Sequence, residues 1–161
     1  MKIKLSRLIF FWVMSKRSIQ KLINLSLIKY NLLFLSGLLA SFSLPPINLF
    51  PFIFFLSLPI FYLINCRNWK EASLIGFFSA YGWFIFSLYW LSNALIVSGG
   101  IYLWITPLVF FGLPAFLSLF WGLAFFLTFV LGKSITEKLL FLFLLLPFFE
   151  WLRGNIFSGF P

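Results

Sequence analysis

"ASLIGFFSAYGWFIFSLYWLSNALIVSGGIYLWITPLVFFGLPAFLSLFWGLAFFLTFVLG", residues 72–132, carries no acidic or basic side chain. A helix needs about 20 apolar residues to cross a hydrocarbon core roughly 30 Å thick. The run therefore has the length for two crossings once Pro and Gly breaks divide it. Residues 30–66 form a second uncharged run, with room for two more. These two runs decide the fold class: an all-α integral membrane protein.

Composition agrees. The chain has 161 residues and is 63% hydrophobic, 24% aromatic and only 9% charged. A soluble domain carries about 25% charged residues, so this chain cannot clothe a water-facing surface. Its net charge of +9 is concentrated, because seven of its twelve Lys and Arg residues precede position 30. Basic residues that flank apolar spans suit an anionic bilayer surface, and nucleic acid is not an expected partner. The sequence has no His, no Asp and one Cys, Cys66. An intrachain disulfide and a Ser-His-Asp or Cys-His site are excluded within these residues. No metal site and no cofactor is expected.

Along the chain, residues 1–29 read as a basic cytoplasmic arm; an over-long start to the reading frame is the plainer alternative. Its apolar core, Leu8–Met14, is short for a signal peptide. About five spans follow, at roughly 30–44, 50–65, 71–95, 101–131 and 139–157. Pro45 and Pro46 end the first, since Pro lacks an N–H and disfavours helix before it. "SNALIVSGG", residues 92–100, is expected to break the third with polar and Gly residues. Pro107 and Pro114 are expected to kink the fourth. The arm, the loop with Arg67 and Lys70, and the loop with Lys133 and Lys138 are basic, while the alternate loops are uncharged. The positive-inside rule then places the N-terminus in the cytoplasm. Ser36 and Ala40, Gly37 and Ser41, and Gly76 and Ala80 are four apart and predict close helix packing.

The last span is unusual. Only residues 139–149 separate Lys138 from Glu150, and at 1.5 Å per residue they cover roughly 16–17 Å, about half a bilayer core. To cross, the helix must carry Glu150 and Arg153 inside the outer part of the membrane. An intramembrane charge costs about 2.5–3.5 kcal/mol on insertion scales, and spacing i, i+3 lets the two meet on one face. One reading is a pair that snorkels to the headgroups. The other is a pair that shapes a cleft for a lipid headgroup or supports an outer domain.

"FFEWLRGNIFSGFP", residues 148–161, resembles a segment of the apolipoprotein N-acyltransferases, bacterial inner-membrane enzymes of lipoprotein maturation. "GLLASFSLPPINLFP", residues 37–51, and "EASLIGFFSAYGWFIFSLYWLSNAL", residues 71–95, resemble that family in the same order. The resemblance implies a helix bundle beneath an outward-facing nitrilase-like domain. A Cys of that domain takes an acyl chain from phospholipid, with a Glu as base and an assisting Lys, and passes it to the N-terminal diacylated Cys of a lipoprotein. The partners it implies are membrane phospholipid and, through that domain, the apolipoprotein. No catalytic residue maps onto this chain, so the chain alone is expected to be inactive, as a membrane half cut within a motif at Pro161. Cys66 falls in a basic loop and is not the nucleophile. By resemblance, Glu150, Trp151, Arg153, Gly159, Phe160 and Pro161, with Trp90 and Asn93 at the same level, belong to an outer mouth for lipid entry. The alternative is a small non-enzymatic membrane protein, a transporter or assembly subunit, or the product of a decayed gene.

Overall fold

The computed structural model describes residues 25–100 and 102–156, and every regular element among them is helical. The chain divides into two units, residues 1–32 and 33–161. Of the first, the described residues are helical. Residues 1–24 of the basic arm and the closing Phe157–Pro161 lie outside the described residues, and the arm's last five residues begin the first helix.

Helix α1 spans Leu25–Ser43, its last turn 3₁₀. A Pro-Pro turn leads to a 3₁₀ stretch, Phe50–Leu56, that runs into α2, Ser57–Asn65. Asn48 turns the chain at φ 56°, a left-handed conformation that Asn tolerates better than most residues. Helix α3 is Trp69–Ser87 and α4 is Tyr89–Ser98. Helix α5, Tyr102–Pro107, passes through a π-helical turn, Leu108–Gly112, into α6, Leu113–Leu131. Helix α7 is Ile135–Ile156.

By length and apolarity Leu25–Ser43 and Leu103–Leu131 can each cross a membrane, and the α3–α4 pair makes a third if taken as one broken span. Phe50–Asn65 is apolar but shorter. The Pro residues expected to bend the fourth span bracket the π turn. A Pro ring clashes with the carbonyl four residues back; for Pro114 that carbonyl belongs to Phe110, inside the widened turn. The break in the third span differs from expectation. It is a 43° bend at Leu88, whereas Ser92–Ser98 stay helical. Their polar groups do not unravel the helix: the Ser98 hydroxyl donates to the Ala94 carbonyl at 2.9 Å. The chain turns only at Gly99 and Gly100, with φ of 66° and 60°.

The loops before α3 and α7 are built alike. Asn68 Oδ1 accepts the Glu71 N–H at 2.8 Å, and Glu71 Oε2 accepts the Arg67 N–H at 3.0 Å. Ser134 Oγ accepts the Glu137 N–H at 3.2 Å, and Glu137 Oε2 accepts the Lys133 N–H at 2.9 Å. Each is a reciprocal cap that satisfies donors a helix start leaves open. The Lys133 N–H bond, then the Ser134 hydroxyl, hold the Glu137 carboxyl below its ordinary value. The two loops share one end of the structure. Lys138 Nζ donates to the Ile64 carbonyl at 3.3 Å, and the Trp69 ring meets Phe126 at 5.7 Å.

Small residues set the helix spacing, as their four-residue pattern predicts. Ser36, Ala40, Ser41, Ala80 and Gly76 are buried. A Cβ on Gly37 would lie 1.8 Å from the Ser79 carbonyl oxygen, and one on Gly82 would lie 1.9 Å from that of Phe34. These backbones touch, so no side-chain rearrangement can make room. Gly82→Ala is expected to lose about 1–3 kcal/mol in equilibrium unfolding in detergent, as overpacking does. Gly154→Ala, in open space, should lose nothing. Equal stability of the two variants would contradict this crossing.

Candidate functional site

Glu150 and Arg153 sit one turn apart near the end of α7, and the helix runs unbroken through both to Ile156. From Lys138 to Glu150 and Arg153 the rise is roughly 18–23 Å, so the pair lies far along the helix from the basic loops. Glu150 Oε2 accepts Arg153 Nη2 at 2.6 Å and Nε at 3.1 Å. The Nη2 and Nε atoms make a fork onto a single carboxylate oxygen, a charge-assisted contact of the stronger kind. The other oxygen, Oε1, accepts the indole N–H of Trp121 on α6. Arg153 turns inward, only 8% exposed, with its guanidinium 5.2 Å from the centre of the Phe84 ring on α3.

Three helices therefore meet at one polar knot. Its floor is apolar: Ala80, Phe84, Leu117 and Trp121 form a buried cluster, with Leu146, Leu113 and Leu88 packed around it. Phe84 meets Trp121 edge-on at 6.1 Å, and Trp83 lies 6.2 Å from the same indole. In such surroundings an unpaired charge is costly and a paired one holds its partners in register. A guanidinium over an aromatic face gains further from the ring quadrupole.

The other expected mouth residues are placed differently. Trp151 points away from the knot, 62% exposed, beside Phe148. Trp90 is half-exposed and lines a separate cleft of about 320 Å³ with Ser41, Leu44, Pro45, Pro46, Phe86, Ser87 and Tyr89. Asn93 is exposed on α4. Gly159, Phe160 and Pro161 lie outside the described residues. The knot's Trp121 and Phe84 were not anticipated. A Trp in mid-span, away from either interface, was the available signal, because its buried N–H needs an acceptor. Cys66 is buried at the end of α2, its Sγ 3.0 Å from the Leu63 carbonyl oxygen.

The model of the apolipoprotein N-acyltransferase N-terminal domain matches residues 36–161. The chain belongs to this family. Among curated relatives, the apolipoprotein N-acyltransferase of Rhodopseudomonas palustris is 34% identical over 134 residues, 79% of this chain and 25% of the relative. That of Sinorhizobium medicae is 35% identical over 139 residues, 80% of this chain and 26% of the relative. That of Rhizobium meliloti is 36% identical with the same coverage. The chain thus spans about a quarter of the length of the relatives it matches. No solved structure gave a significant match.

The knot predicts a pattern of non-additive losses. Arg153→Leu leaves a carboxylate half-buried without its cation and should cost about 3–5 kcal/mol. Glu150→Leu should cost a similar amount, and the double replacement clearly less than the sum. A double-mutant cycle in detergent unfolding checks this; additive losses would mean that the pair does not act as a unit.

Proposed function

We propose that this chain supplies membrane helices of a phospholipid-dependent apolipoprotein N-acyltransferase of the bacterial inner membrane, with the arm and both basic loops cytoplasmic. In this reading an acyl chain leaves a phospholipid ester for a Cys thiolate outside these residues. The resulting thioester is then attacked by the N-terminal amine of a diacylated lipoprotein Cys. This is two-step, covalent catalysis. The observation that carries the proposal is the Glu150–Arg153–Trp121 knot in a chain of this family.

The knot's contribution is positional. It holds α3, α6 and α7 in fixed register away from the basic loops, below the level at which the donor lipid's headgroup and the catalytic domain would meet the bundle. In this reading the knot borders the mouth through which lipid enters, and Trp151, exposed on the same helix, faces the lipid beside it. The residues here do not perform the transfer themselves. Cys66 is buried with its thiol toward a backbone carbonyl, at the basic-loop end, and Glu150 is far along α7 from that end.

In a full-length family member carrying this segment, Glu150→Gln with Arg153→Leu should lower acyl transfer roughly tenfold or more, equivalent to about 1.4 kcal/mol in the barrier, at unchanged protein level. The 161-residue chain alone should form no acyl-enzyme with labelled phosphatidylethanolamine. Unchanged transfer in the double variant would refute the mouth, and acyl-enzyme on the isolated chain would refute its dependence on a separate nucleophile.

A further inference from the structure

Helices α2 and α7 flank a groove that the acyl-transfer reading does not use. Ile60 lines one side, and Leu139, Leu142, Phe143, Leu146 and Pro147 line the other, enclosing about 420 Å³. That volume lies within the usual range for a small-molecule site. The lining is wholly apolar, and Phe143 is 78% exposed. The α7 positions follow helical spacing, so the groove runs along the helix for roughly 12 Å.

One end of the groove is charged. Lys138 stands one turn before Leu142 on the same face, and Ile64 stands one turn after Ile60. The Lys138 ammonium bonds to the Ile64 carbonyl and sits 5.1 Å from the centre of the Phe129 ring. This holds the cation at the mouth of the groove. Arg67 and Lys133 lie exposed in the two adjoining loops, and Lys70 lies exposed in the first turn of α3. The carboxylates there, Glu71 and Glu137, each accept a backbone N–H from their own loop, at 3.0 Å and 2.9 Å. Four cations against two carboxylates leave this end positive.

We propose that the α2–α7 groove and Lys138 form a binding site for an anionic phospholipid of the leaflet beside the basic loops. An acyl chain lies along Leu139–Pro147, and the headgroup phosphate meets the Lys138 ammonium, which keeps two N–H donors beyond its bond to Ile64. The apolar lining alone would accept any lipid tail or another helix; the fixed cation at its end selects a negative headgroup. The cation that selects the headgroup, Lys138, stands roughly 18 Å along α7 from Glu150, and the proposal does not depend on the acyl-transfer reading.

Native mass spectrometry of the full chain, released from non-ionic detergent with equal phosphatidylglycerol and phosphatidylcholine, tests this. Phosphatidylglycerol adducts should exceed phosphatidylcholine adducts by about threefold or more, as expected for a fixed cation near an anionic headgroup. Lys138→Gln should bring the two to parity at unchanged helical content, and Lys138→Arg should keep the preference. Leu139→Trp, which fills the groove from an exposed position, should reduce adducts of both lipids, and millimolar inorganic phosphate should displace neither. Equal retention by the unaltered chain, or a preference that survives Lys138→Gln, would overturn the site. Displacement by phosphate would mark a free-anion site instead, and a dimer without lipid adducts would mark an interface between two copies.

Discussion

The Glu150 carboxylate is the point on which the bundle turns. It is a charge inside an apolar assembly, and it is tolerated because each of its oxygens has a fixed donor: Arg153 from its own helix and Trp121 from α6. Arg153 in turn lies over Phe84 of α3. Each group removes a cost that another would incur alone, so the three helices are fixed by mutual necessity rather than by apolar contact. Apolar contact is a weak guide in lipid, where the tails are as apolar as Leu and helix association rests on close packing and polar links.

Close packing supplies the other half. Gly76 lets α3 approach α6 until a Cβ at that position would sit 2.6 Å from the Trp121 carbonyl oxygen. That approach brings the Trp121 indole into reach of α7. Gly37 and Gly82 do the same between α1 and α3. The Phe-rich surface left over is the kind that faces lipid: Phe54, Phe61, Phe143 and Phe148 are at least half exposed.

Much of this was legible from the order of residues. Charge-free runs gave the membrane class, Pro and Gly gave most breaks, and four-residue spacing of small residues gave the packing faces. The i, i+3 spacing of Glu150 and Arg153 gave their pairing on one face of α7. The bend at Leu88 was not legible, because it contains neither Gly nor Pro. Nor were Trp121 and Phe84, since partners from different helices leave no local pattern. Trp90 and Asn93 were placed with the pair by level along the span, but position along a helix does not fix which face a side chain takes.

The Trp121 indole N–H reports the knot directly. In ¹⁵N-indole spectra of the chain in detergent, assigned by Trp121→Phe, its signal should resist exchange with deuterated water, and Glu150→Gln should shift it and speed its exchange about tenfold or more, as loss of a buried charged acceptor implies. A Trp121 signal that exchanges freely, or that Glu150→Gln leaves in place, would contradict the knot and with it the register of α6 and α7.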